Sequence, residues 1–531
     1  MAQHDASRHY DTIIIGAGMS GLACASRLSD HATYQEGKRL LVLEARDRIG
    51  GRIESVHVNG TRLDTGANWI HGIGTKDKPN PLVQILPDKR MKELACGVYF
   101  KAADSNADKD QPGKDLVIPS EIAETLMGSL WGLIGSLHET ALSHGEDAKH
   151  LTILETIQKD ENFKAVYEAV PEEYRDTLSI LPQFVEGMEA GPLDRTTAEH
   201  PEDEPGLALS EYSIEDFDGS QVFLGDGYVA VVNEVAKRVF ERDQVKLGVE
   251  VKRISWSTNP IEIETSDGTF TAGEVVSTIP LGVLKKYVRP SGSGAEQKSL
   301  FVPQLPAPKV EAITSLGYGT LDKIFLVYSS PWWKTEPYFS ILKKGFTSMG
   351  PDESDEEDFS PNGHSTAEPE EPDTFISFTT ELPGLSISPS HVKPGPSSLF
   401  MTNLHSLTGF PALSAFVSCS SATHIESLSD QEASMIVHRA LTKGLGREPP
   451  LPDAVHVTRW AADQYSLGSY THMIKGVSET QHRAEFQEPV VNERGATLRF
   501  AGEHTSVNHF ATVHGALLSG WREADAVLKG K

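Results

Sequence analysis

A glycine motif near the start of the chain constrains the fold most strongly. Gly16, Gly18 and Gly21 have the spacing G-x-G-x-x-G and follow an apolar, β-branched run at residues 12–15. The Ala-rich stretch after them, residues 22–28, predicts a helix. A strand, a glycine turn and a helix in this order predict a dinucleotide-binding unit. In such a unit the glycines make a tight turn, let a pyrophosphate approach and let the helix pack closely on the strand.

A second apolar run, residues 40–43, ends at Glu44. This carboxylate lies about 20 residues beyond the glycines, where it is expected to bind the hydroxyl groups of a ribose. An acid in place of an arginine favours a free 2′-hydroxyl over a 2′-phosphate. A chance glycine turn is the alternative interpretation, but the two strands, the helix and the acid together favour the dinucleotide site.

The chain continues with a second glycine-rich turn, ARDRIGGR at residues 45–52, and with DTGANWIHG at residues 64–72. A nicotinamide-dependent dehydrogenase has no need of this second turn. The two motifs resemble the extended FAD signature of the flavin-containing amine oxidases, the family of monoamine oxidases, polyamine oxidases and lysine-specific histone demethylases. The resemblance is strongest to polyamine oxidases, which have a histidine at the place of His71. It implies FAD contacts from Ala45, Arg46, Gly51, Arg52 and Trp69.

Later segments, at about residues 220–330 and 455–531, carry the same resemblance. Ser469 occupies the place of a cysteine that bonds covalently to FAD in monoamine oxidases. Because serine cannot form that thioether, the resemblance implies non-covalent FAD. The further cofactor contacts that it implies come from Val251, Trp460, Glu503, Thr512 and Val513.

Three residues match catalytic positions of the family. Lys323 lies at the start of the apolar run 322–328 and matches a lysine that holds a water molecule against flavin N5. A half-buried lysine beside a flavin is expected to have a lowered pKa and could relay a proton. Tyr470 matches one wall of an aromatic cage that stabilises a cationic amine. His71 is expected to handle the proton of the reacting nitrogen, together with Lys323.

Binding of an amine substrate is expected to involve His71, Tyr470 and Thr512. Many family members have a second cage tyrosine where this chain has Thr512, so a cage of two tyrosines is not expected. Distal ammonium groups need acceptors, and the candidates by approximate position are Glu186, Glu189 and Glu211.

The resemblance implies an α/β fold, α+β overall. A FAD-binding, Rossmann-like domain is expected to form from separated segments, with an inserted substrate domain of mixed sheet and helices. The expected segments are 1–90, 220–300 and 455–531 for the FAD-binding domain, and 91–219 (a helical cap) and 301–454 for the substrate domain. Within the latter, residues 350–373 are acidic and rich in Pro, Gly and Ser, which predicts a disordered insert.

Local patterns predict several further elements. Alternating apolar residues predict strands at 245–254, 261–265 and 269–271, and a buried strand begins at residue 274. Residues 430–445 predict a helix.

The composition of the chain limits the kinds of binding partner that are expected. The net charge of −27 argues against nucleic acid or an anionic membrane as the main partner and is compatible with a cationic substrate. Cys24, Cys96 and Cys419 are widely spaced, which suits neither a metal motif nor a disulfide framework and favours a reducing compartment. The polar N-terminus has no signal-peptide pattern and the chain does not end in S-K-L, so an intracellular, cytoplasmic location is expected. The oligomeric state stays open.

The expected function is FAD-dependent oxidation of polyamines such as spermine, spermidine or their N-acetyl forms. In the family, the carbon next to nitrogen gives a hydride to flavin N5, the imine hydrolyses to amine and aldehyde, and O2 reoxidises the flavin to give hydrogen peroxide. The alternatives are a histone-lysine demethylase, an L-amino-acid oxidase, or a catalytically silent flavin-binding interaction module.

Overall fold

In the computed structural model of the protein, the described residues are 8–86, 91–101, 117–193, 206–214, 217–288, 299–348, 370–382 and 397–530. Within these ranges the β-strands are β1 His9–Ile15, β2 Leu40–Leu43, β3 Ser55–Val58, β4 Thr61–Asp64, β5 Trp69–Ile70, β6 Met91–Lys92, β7 Cys96–Tyr99, β8 Val222–Leu224, β9 Val245–Lys246, β10 Val251–Ser255, β11 Ile261–Thr265, β12 Gly268–Ser277, β13 Phe301–Val302, β14 Gly317–Gly319, β15 Leu321–Val327, β16 Thr347–Ser348, β17 Thr374–Thr379, β18 Ser397–Asn403, β19 Ala412–Ser418, β20 Ala454–Val457, β21 Tyr470–His472, β22 Val490–Val491 and β23 Thr497–Phe500.

The α-helices of the same ranges are α1 Met19–Asp30, α2 Ala32–Gln35, α3 Pro81–Ile85, α4 Ser120–His144, α5 Ile153–Lys159, α6 Glu161–Ala169, α7 Ile180–Glu189, α8 Tyr228–Glu241, α9 Leu281–Val288, α10 Ala307–Ser315, α11 Tyr338–Leu342, α12 Leu404–Thr408, α13 Cys419–Glu426, α14 Asp430–Leu445, α15 Thr480–Glu485 and α16 Val513–Lys529. Two short 3-10 helices also matter for the site, Leu209–Ser213 and Glu503–Thr505.

The larger sheet is organised around β1 and β12, which pair in parallel. β2 and β9 extend it beyond β1, and β23 pairs with the C-terminal half of β12, all in parallel. The N-terminal half of β12 pairs instead with the antiparallel β11, which continues to β10. One face of the sheet is covered by α1, α8 and α16, whose apolar side chains form a core with Ile14 and Val42. This arrangement confirms the predicted α/β fold with a Rossmann-like parallel sheet.

Two strand predictions in this region are wrong. The predicted strand 245–254 is divided into β9 and β10, because Gly248 turns the chain with a φ of +70°. The strands predicted at 269–271 and from residue 274 are one strand, β12. The chain does not need to break there, since β12 exchanges one pairing partner for another along its length.

The second large sheet is mixed, with the strand order β16, β7, β17, β18, β19, β15, β20. Both faces of this sheet are covered by helices. Successive residues of a strand point to opposite faces, as β17 illustrates. Phe375 packs in the core beneath α14, whereas Ile376 packs with residues of the cap helices α4 and α7. The helix predicted at 430–445 is confirmed as α14, which ends at Gly446 in the left-handed conformation.

The acidic insert lies outside the described residues except for 370–373, and for these the expectation of disorder is wrong. Asp373 is buried and accepts a hydrogen bond of 2.8 Å from the backbone N–H of Ala95. Glu371 accepts hydrogen bonds from Trp333 Nε1 at 2.8 Å and Asn403 Nδ2 at 2.9 Å. These donors hold residues 370–373 against the second sheet. The two acidic side chains are therefore hydrogen-bonded within the protein, although their charge predicted exposure to solvent.

Cys24 and Cys96 are buried, Cys419 is half-buried, and none of the three forms a disulfide. Among the described residues, no helix has the length and apolar content to cross a bilayer. The same part of the chain contains no group of three or more potential metal ligands.

Candidate active site

Residues from both large sheets line a cavity of about 1090 Å³. Pockets for small molecules commonly measure about 300–1,000 Å³, so this one is large. The predicted site residues that line it are Gly16, Gly18, Glu44, Ala45, Arg46, Gly51, Arg52, Trp69, His71, Glu186, Glu189, Glu211, Val251, Lys323, Trp460, Tyr470, Glu503, Thr512 and Val513. Gly21 is the exception, and its place in the glycine turn explains why.

The glycine turn leaves the N-terminus of α1 open to the cavity. Gly16 has a φ of +104°, which favours glycine, and a Cβ on Gly21 would lie 2.0 Å from the carbonyl oxygen of Gly16. Gly21 therefore allows α1 to pack on the turn. No side chain caps α1 at Gly18, and the first turn of the helix contains no acidic residue. Its backbone N–H groups and the helix dipole are thus available to a phosphate group.

Glu44 lies at the end of β2, beside this turn. Its Oε2 accepts a hydrogen bond of 2.7 Å from the N–H of Ala17, and its Oε1 accepts one of 2.8 Å from the N–H of Arg46. A carboxylate has about four acceptor positions, so both oxygens can still accept from ribose hydroxyls. Glu44 therefore ties the first glycine turn to the second one.

Two arginines of the second turn are paired with acids from the C-terminal part of the chain. Arg46 donates two hydrogen bonds to Asp463, at 2.8 and 2.6 Å. Arg52 donates to Glu503 Oε1 at 3.0 Å and to the carbonyl oxygen of Ser469. Burial acts to raise the pKa of Glu503, but the charge of Arg52 and other cations lowers it below the usual value. These pairs join the first and the last sequence segments of the part of the protein that is expected to hold the cofactor, which we call the cofactor half.

Lys323 projects from β15 into the other half of the cavity and is 4% exposed. Its Nζ donates hydrogen bonds to the carbonyl oxygens of Asp64, at 3.0 Å, and Gly66, at 2.6 Å. Nζ also lies 5.4 Å from the centre of the Phe416 ring. Burial lowers the pKa of Lys323 to about 7, and the charge of Asp64 opposes this shift. A neutral lysine can make both hydrogen bonds and still keep one lone pair to accept a proton.

Asp322 precedes Lys323 and points to the opposite face of β15, where it binds the residues that position the site. Its Oδ1 accepts hydrogen bonds from Thr458 Oγ1 at 2.7 Å and from the N–H of Trp460 at 3.1 Å. Thr458 in turn accepts a hydrogen bond from the N–H of Lys323 at 2.8 Å. Burial raises the pKa of Asp322 to about 8. Asp322, which was not among the residues predicted from the sequence, therefore fixes the backbone that carries both Lys323 and Trp460.

Tyr470 and His71 are held by neighbours on different elements. The hydroxyl of Tyr470 donates a hydrogen bond of 2.7 Å to the carbonyl oxygen of Met188, at the end of α7. His71 is exposed at the cavity and its Nδ1 lies 2.7 Å from Gln221 Oε1. The hydroxyl of Thr512 accepts from the N–H of Gly515 at 3.0 Å and caps α16. Capping gives a physical reason for threonine at this position.

The three candidate carboxylates lie on the cap side of the cavity. Glu186 accepts a hydrogen bond of 3.1 Å from the N–H of Leu193, and Glu211 accepts one of 2.6 Å from the N–H of Met473. Burial raises the pKa of Glu189 to about 7. Burial, and then the charge of Glu189, raise the pKa of Glu211 well above its usual value. A positive charge that enters this part of the cavity would favour the ionised form of both carboxylates.

A family model described as flavin containing amine oxidoreductase matches residues 19–528 of this chain. The chain belongs to the flavin-containing amine oxidase family. Its cofactor is FAD, and the residues fit that group: the open N-terminus of α1 suits the pyrophosphate, Glu44 suits a ribose, and the cavity continues to Lys323.

Named relatives include oxidases of polyamines and a demethylase homologue. Peroxisomal N(1)-acetyl-spermine/spermidine oxidase of Homo sapiens is 28% identical over 543 residues, covering 97% of this chain and 94% of that protein. Polyamine oxidase 3 of Oryza sativa is 29% identical, with 97% and 88% coverage. Lysine-specific histone demethylase 1 homolog 2 of Arabidopsis thaliana is 27% identical, covering 97% of this chain but 58% of that protein.

Among solved structures, a putrescine oxidase with redesigned cofactor binding matches with a TM-score of 0.59 at 19% identity. The match covers 98% of this chain and 99% of that chain. It supports the amine oxidase fold; at this identity it carries nothing about the substrate.

Ser469, at the place of the flavin-bonding cysteine in monoamine oxidases, is engaged with the backbone. Its Oγ donates to the carbonyl oxygen of Leu321 and accepts from the N–H of Leu321, both at 2.8 Å. The side chain therefore fixes the start of β15, two residues before Lys323. It offers the flavin neither a thiol nor a free hydroxyl.

Heat or acid denaturation of the holoenzyme is consequently expected to release all of its FAD. The measurement is the flavin absorbance of the supernatant and of the washed pellet, with denatured apoprotein mixed with free FAD as the control for trapping. Flavin that stays with the washed pellet, beyond the amount in the control, would contradict non-covalent binding.

Proposed function

We propose that this enzyme oxidises polyamines at the carbon next to a nitrogen, with O2 as the final electron acceptor. The observation that carries the proposal is the charge arrangement of the cavity. The cavity contains a buried lysine, Lys323, whose pKa is lowered. It also contains two carboxylates, Glu189 and Glu211, whose pKa values are raised, so that a nearby cation would favour their ionised form. A molecule with one neutral nitrogen and further positive charges matches both features.

FAD, when bound, supplies the oxidant: it takes up a hydride from the amine carbon and passes the electrons to O2, which gives hydrogen peroxide. The protein must deliver an unprotonated nitrogen, because a protonated amine has no lone pair to assist loss of the hydride. Amines of this class have a pKa near that of lysine, about 10, and are mostly protonated at pH 7. The site must therefore remove a proton from the substrate nitrogen when the substrate binds.

Lys323 is the proposed acceptor of that proton. Its Nζ is anchored by two backbone carbonyl groups, so it can change protonation state without moving. Its ring neighbour Phe416 and the wall residue Tyr470 both line the cavity. The aromatic faces stabilise the amine while it is still cationic. We propose that the amine docks as a cation and reacts after Lys323 has taken up the proton.

The distal charges are assigned to Glu186, Glu189 and Glu211. Because the pKa of Glu189 and that of Glu211 are raised in the free cavity, an arriving ammonium group would stabilise their ionised forms. Substrate binding near pH 7 would then release protons from the acids. Isothermal calorimetry in buffers of different ionisation enthalpy would detect this release.

His71 is proposed to contact the amine from the exposed side of the cavity. His71→Ala is expected to keep FAD but to weaken substrate binding or slow flavin reduction at least about tenfold. The physical reason is the loss of a hydrogen-bond partner for an amine nitrogen. Anaerobic stopped-flow absorbance across pH is the measurement, and Gln221→Ala, which removes one hydrogen-bonding neighbour of His71, is the matched control. Rates and pH profiles equal to wild type in His71→Ala would exclude a role in the chemistry.

An L-amino-acid oxidase fits the cavity less well, because it is expected to need an arginine for the substrate carboxylate. The arginines among the described lining residues are Arg46 and Arg52, and each is paired with an acid of the cofactor half. A histone-lysine demethylase and a silent flavin-binding module remain alternatives that the substrate test distinguishes.

The test is a substrate panel with product analysis. Purified holoenzyme is given spermine, spermidine, their N-acetyl forms, a methylated histone-tail peptide and L-amino acids, with peroxide and products measured by coupled assay and mass spectrometry. The proposal expects peroxide with a polyamine, together with a shortened amine and an aldehyde, and Lys323→Met is the control for background oxidation. Turnover of the peptide or an amino acid alone would favour the alternatives, and the absence of turnover would favour the silent module.

A further inference from the structure

A short pair of strands holds several walls of the cavity together. β21 pairs with the antiparallel β14, and Tyr470 lies opposite Gly319. Tyr470 lines the cavity, whereas Gly319 is not among the lining residues. The proposed mechanism assigns a role to the ring of Tyr470 but none to its hydroxyl group or to Gly319.

The end of α7 packs directly on these two strands. The hydroxyl of Tyr470 donates a hydrogen bond of 2.7 Å to the carbonyl oxygen of Met188. A Cβ on Gly319 would overlap the carbonyl oxygen of Ala190, so a larger residue fits there only if one of the two backbones moves. Ala190 has a φ of +45°, a conformation that a residue other than glycine keeps where its surroundings enforce it. Glu189 therefore lies between two anchored residues.

The loop that follows α7 continues this contact. A Cβ on Gly191 would lie 2.9 Å from Cγ of His472, the last residue of β21. One turn before Glu189, the carboxylate of Glu186 accepts a hydrogen bond of 3.1 Å from the N–H of Leu193, which ties the helix to the loop. The backbone is thus fixed on both sides of Glu189.

The acid of the neighbouring 3-10 helix is bound at the same strand. Oε2 of Glu211 accepts a hydrogen bond of 2.6 Å from the N–H of Met473, the residue directly after β21. Two of the three carboxylates proposed to bind the distal charges are therefore positioned by β21, one through the end of α7 and one directly.

The other end of β21 is joined to the strand that carries Lys323. The N–H of Ser469 donates a hydrogen bond of 2.8 Å to the carbonyl oxygen of Gly319. Oγ of Ser469 binds both the N–H and the carbonyl oxygen of Leu321, at 2.8 Å each. Leu321 begins β15, two residues before Lys323. A continuous set of backbone contacts thus links the acids to the lysine.

We propose that Gly319 and the hydroxyl group of Tyr470 set the distance between the reacting nitrogen of the substrate and its next positive charge. They are positioning groups, because they hold the backbone of Glu189 at a fixed distance from Lys323 and do not bind the distal charge themselves. The enzyme consequently selects amines by the number of carbon atoms between their nitrogens. This inference rests on the proposed polyamine oxidase function and names the residues that determine its length selectivity.

The direction of the effect follows from the contacts. In Gly319→Ala the added methyl group must displace the carbonyl group of Ala190. The strand side of this contact is held to β15 by Ser469, so the end of α7 is the part that moves away. Glu189 then lies farther from Lys323, and longer substrates gain affinity relative to shorter ones.

The main test compares the binding of amines of different length to the wild-type and Gly319→Ala holoenzymes. Diamines from 1,4-diaminobutane to 1,8-diaminooctane, and alkylamines of the same lengths, are titrated without O2 while the flavin spectrum is recorded. Gly319→Ala is expected to raise the affinity of the longest diamine relative to the shortest at least about fivefold, the scale of one weakened ion pair. The alkylamines lack a distal charge, and their relative affinities are expected to change less than about twofold.

Three further variants separate this role from a general loss of stability. Tyr470→Phe keeps the ring but loses the bond to Met188, and a change in the same direction of about twofold is expected. Glu189→Gln removes the acid, and adding Gly319→Ala to it is expected to change the length ratio no further, because the glycine acts through the acid. Gly345→Ala is the structural control: its Cβ would overlap the side chain of Val117 in the core of the second sheet, so Tm should fall while the length ratio stays the same.

An unchanged length ratio in Gly319→Ala, an equal change for the alkylamines, or the same change in Gly345→Ala would overturn the proposal. A wild-type enzyme that binds all diamine lengths equally would also overturn it. If Gly319→Ala fails to fold, Tyr470→Phe decides by the same criterion. A wild-type enzyme whose flavin is bleached by no polyamine would overturn both the proposed function and this inference. A wild-type enzyme that reacts, with an unchanged length ratio in the variants, would overturn the inference alone.

Discussion

Lys323→Met is expected to slow flavin reduction by a polyamine about 100-fold or more, which is the usual scale for loss of a positioned acid–base group. The methionine side chain has a similar volume but offers neither a proton acceptor nor the two hydrogen bonds to Asp64 and Gly66. FAD should be retained, because Lys323 contributes to none of the ion pairs of the cofactor half. Stopped-flow absorbance under anaerobic conditions measures the reduction, and mixing of the reduced enzyme with O2 measures the reoxidation.

The rate of flavin reduction is also expected to change with pH in a defined direction. Lys323 can take a proton only when it is neutral, so its contribution to the rate rises as the pH passes through about 7. This step should be absent in Lys323→Met. Lys286→Met is the matched control, since Lys286 is an exposed lysine that also lines the cavity, with its Nζ 5.9 Å from the centre of the Tyr287 ring. Unchanged rates in both half-reactions of Lys323→Met would show that this lysine only anchors the Asp64–Gly66 backbone.

The same lowered pKa has a consequence for stability. An unfolded lysine has a pKa of about 10.4, so between pH 7 and 10.4 the unfolded chain binds a proton at this position that the folded chain does not bind. The contribution of Lys323 to the free energy of unfolding therefore rises with pH across that window. The wild-type protein should gain stability relative to Lys323→Met as the pH is raised from 7 to 10.

Glu44→Ala is the second large effect, and it is expected to give apoprotein. The variant loses a ribose acceptor and also the two charge-assisted hydrogen bonds that tie Ala17 and Arg46 to the end of β2. Each such bond stabilises by roughly 1.5–3 kcal/mol, so FAD affinity is expected to fall by about two orders of magnitude or more. The measurement is the FAD content after gel filtration, followed by titration of the apoprotein with FAD.

Two variants control this experiment. Glu44→Gln keeps one acceptor oxygen but loses the charge, and an intermediate affinity is expected. Asp47→Ala removes an exposed acid three residues later, and full occupancy is expected. Full FAD occupancy in Glu44→Ala would contradict the assignment of this carboxylate to the ribose.

The fold of the cofactor half could be predicted from the sequence because the residues that indicate it lie close together in the chain. The glycine spacing, the strand before it and the acid after it lie within one short segment, and the structure joins them through Glu44. The α/β class follows from the same segment. The strand division at Gly248 and the continuous β12 could not be predicted, because periodicity does not reveal which partner a strand pairs with.

The supporting residues of the site escaped prediction for a different reason. Arg46 and Asp463 are 417 residues apart in the chain, and Arg483 is linked to Glu503 through the hydroxyl group of Thr471. Nothing near Asp463 or Arg483 in the sequence distinguishes them from solvent-exposed charges. Asp322 carried a usable signal, since it is an acid placed directly before a buried lysine at the start of an apolar strand. The catalytic and substrate roles of the lining residues stay predictions.

Anaerobic titration of the purified holoenzyme tests the central claim most directly. Spermine and N-acetylspermine are added without O2 while the visible spectrum of the flavin is recorded, and O2 is then admitted. We expect the oxidised flavin bands to bleach with at least one of these polyamines and to return with O2. One molecule of hydrogen peroxide is expected for each amine consumed. A flavin spectrum that no polyamine bleaches, in enzyme that binds FAD fully, would contradict the central claim.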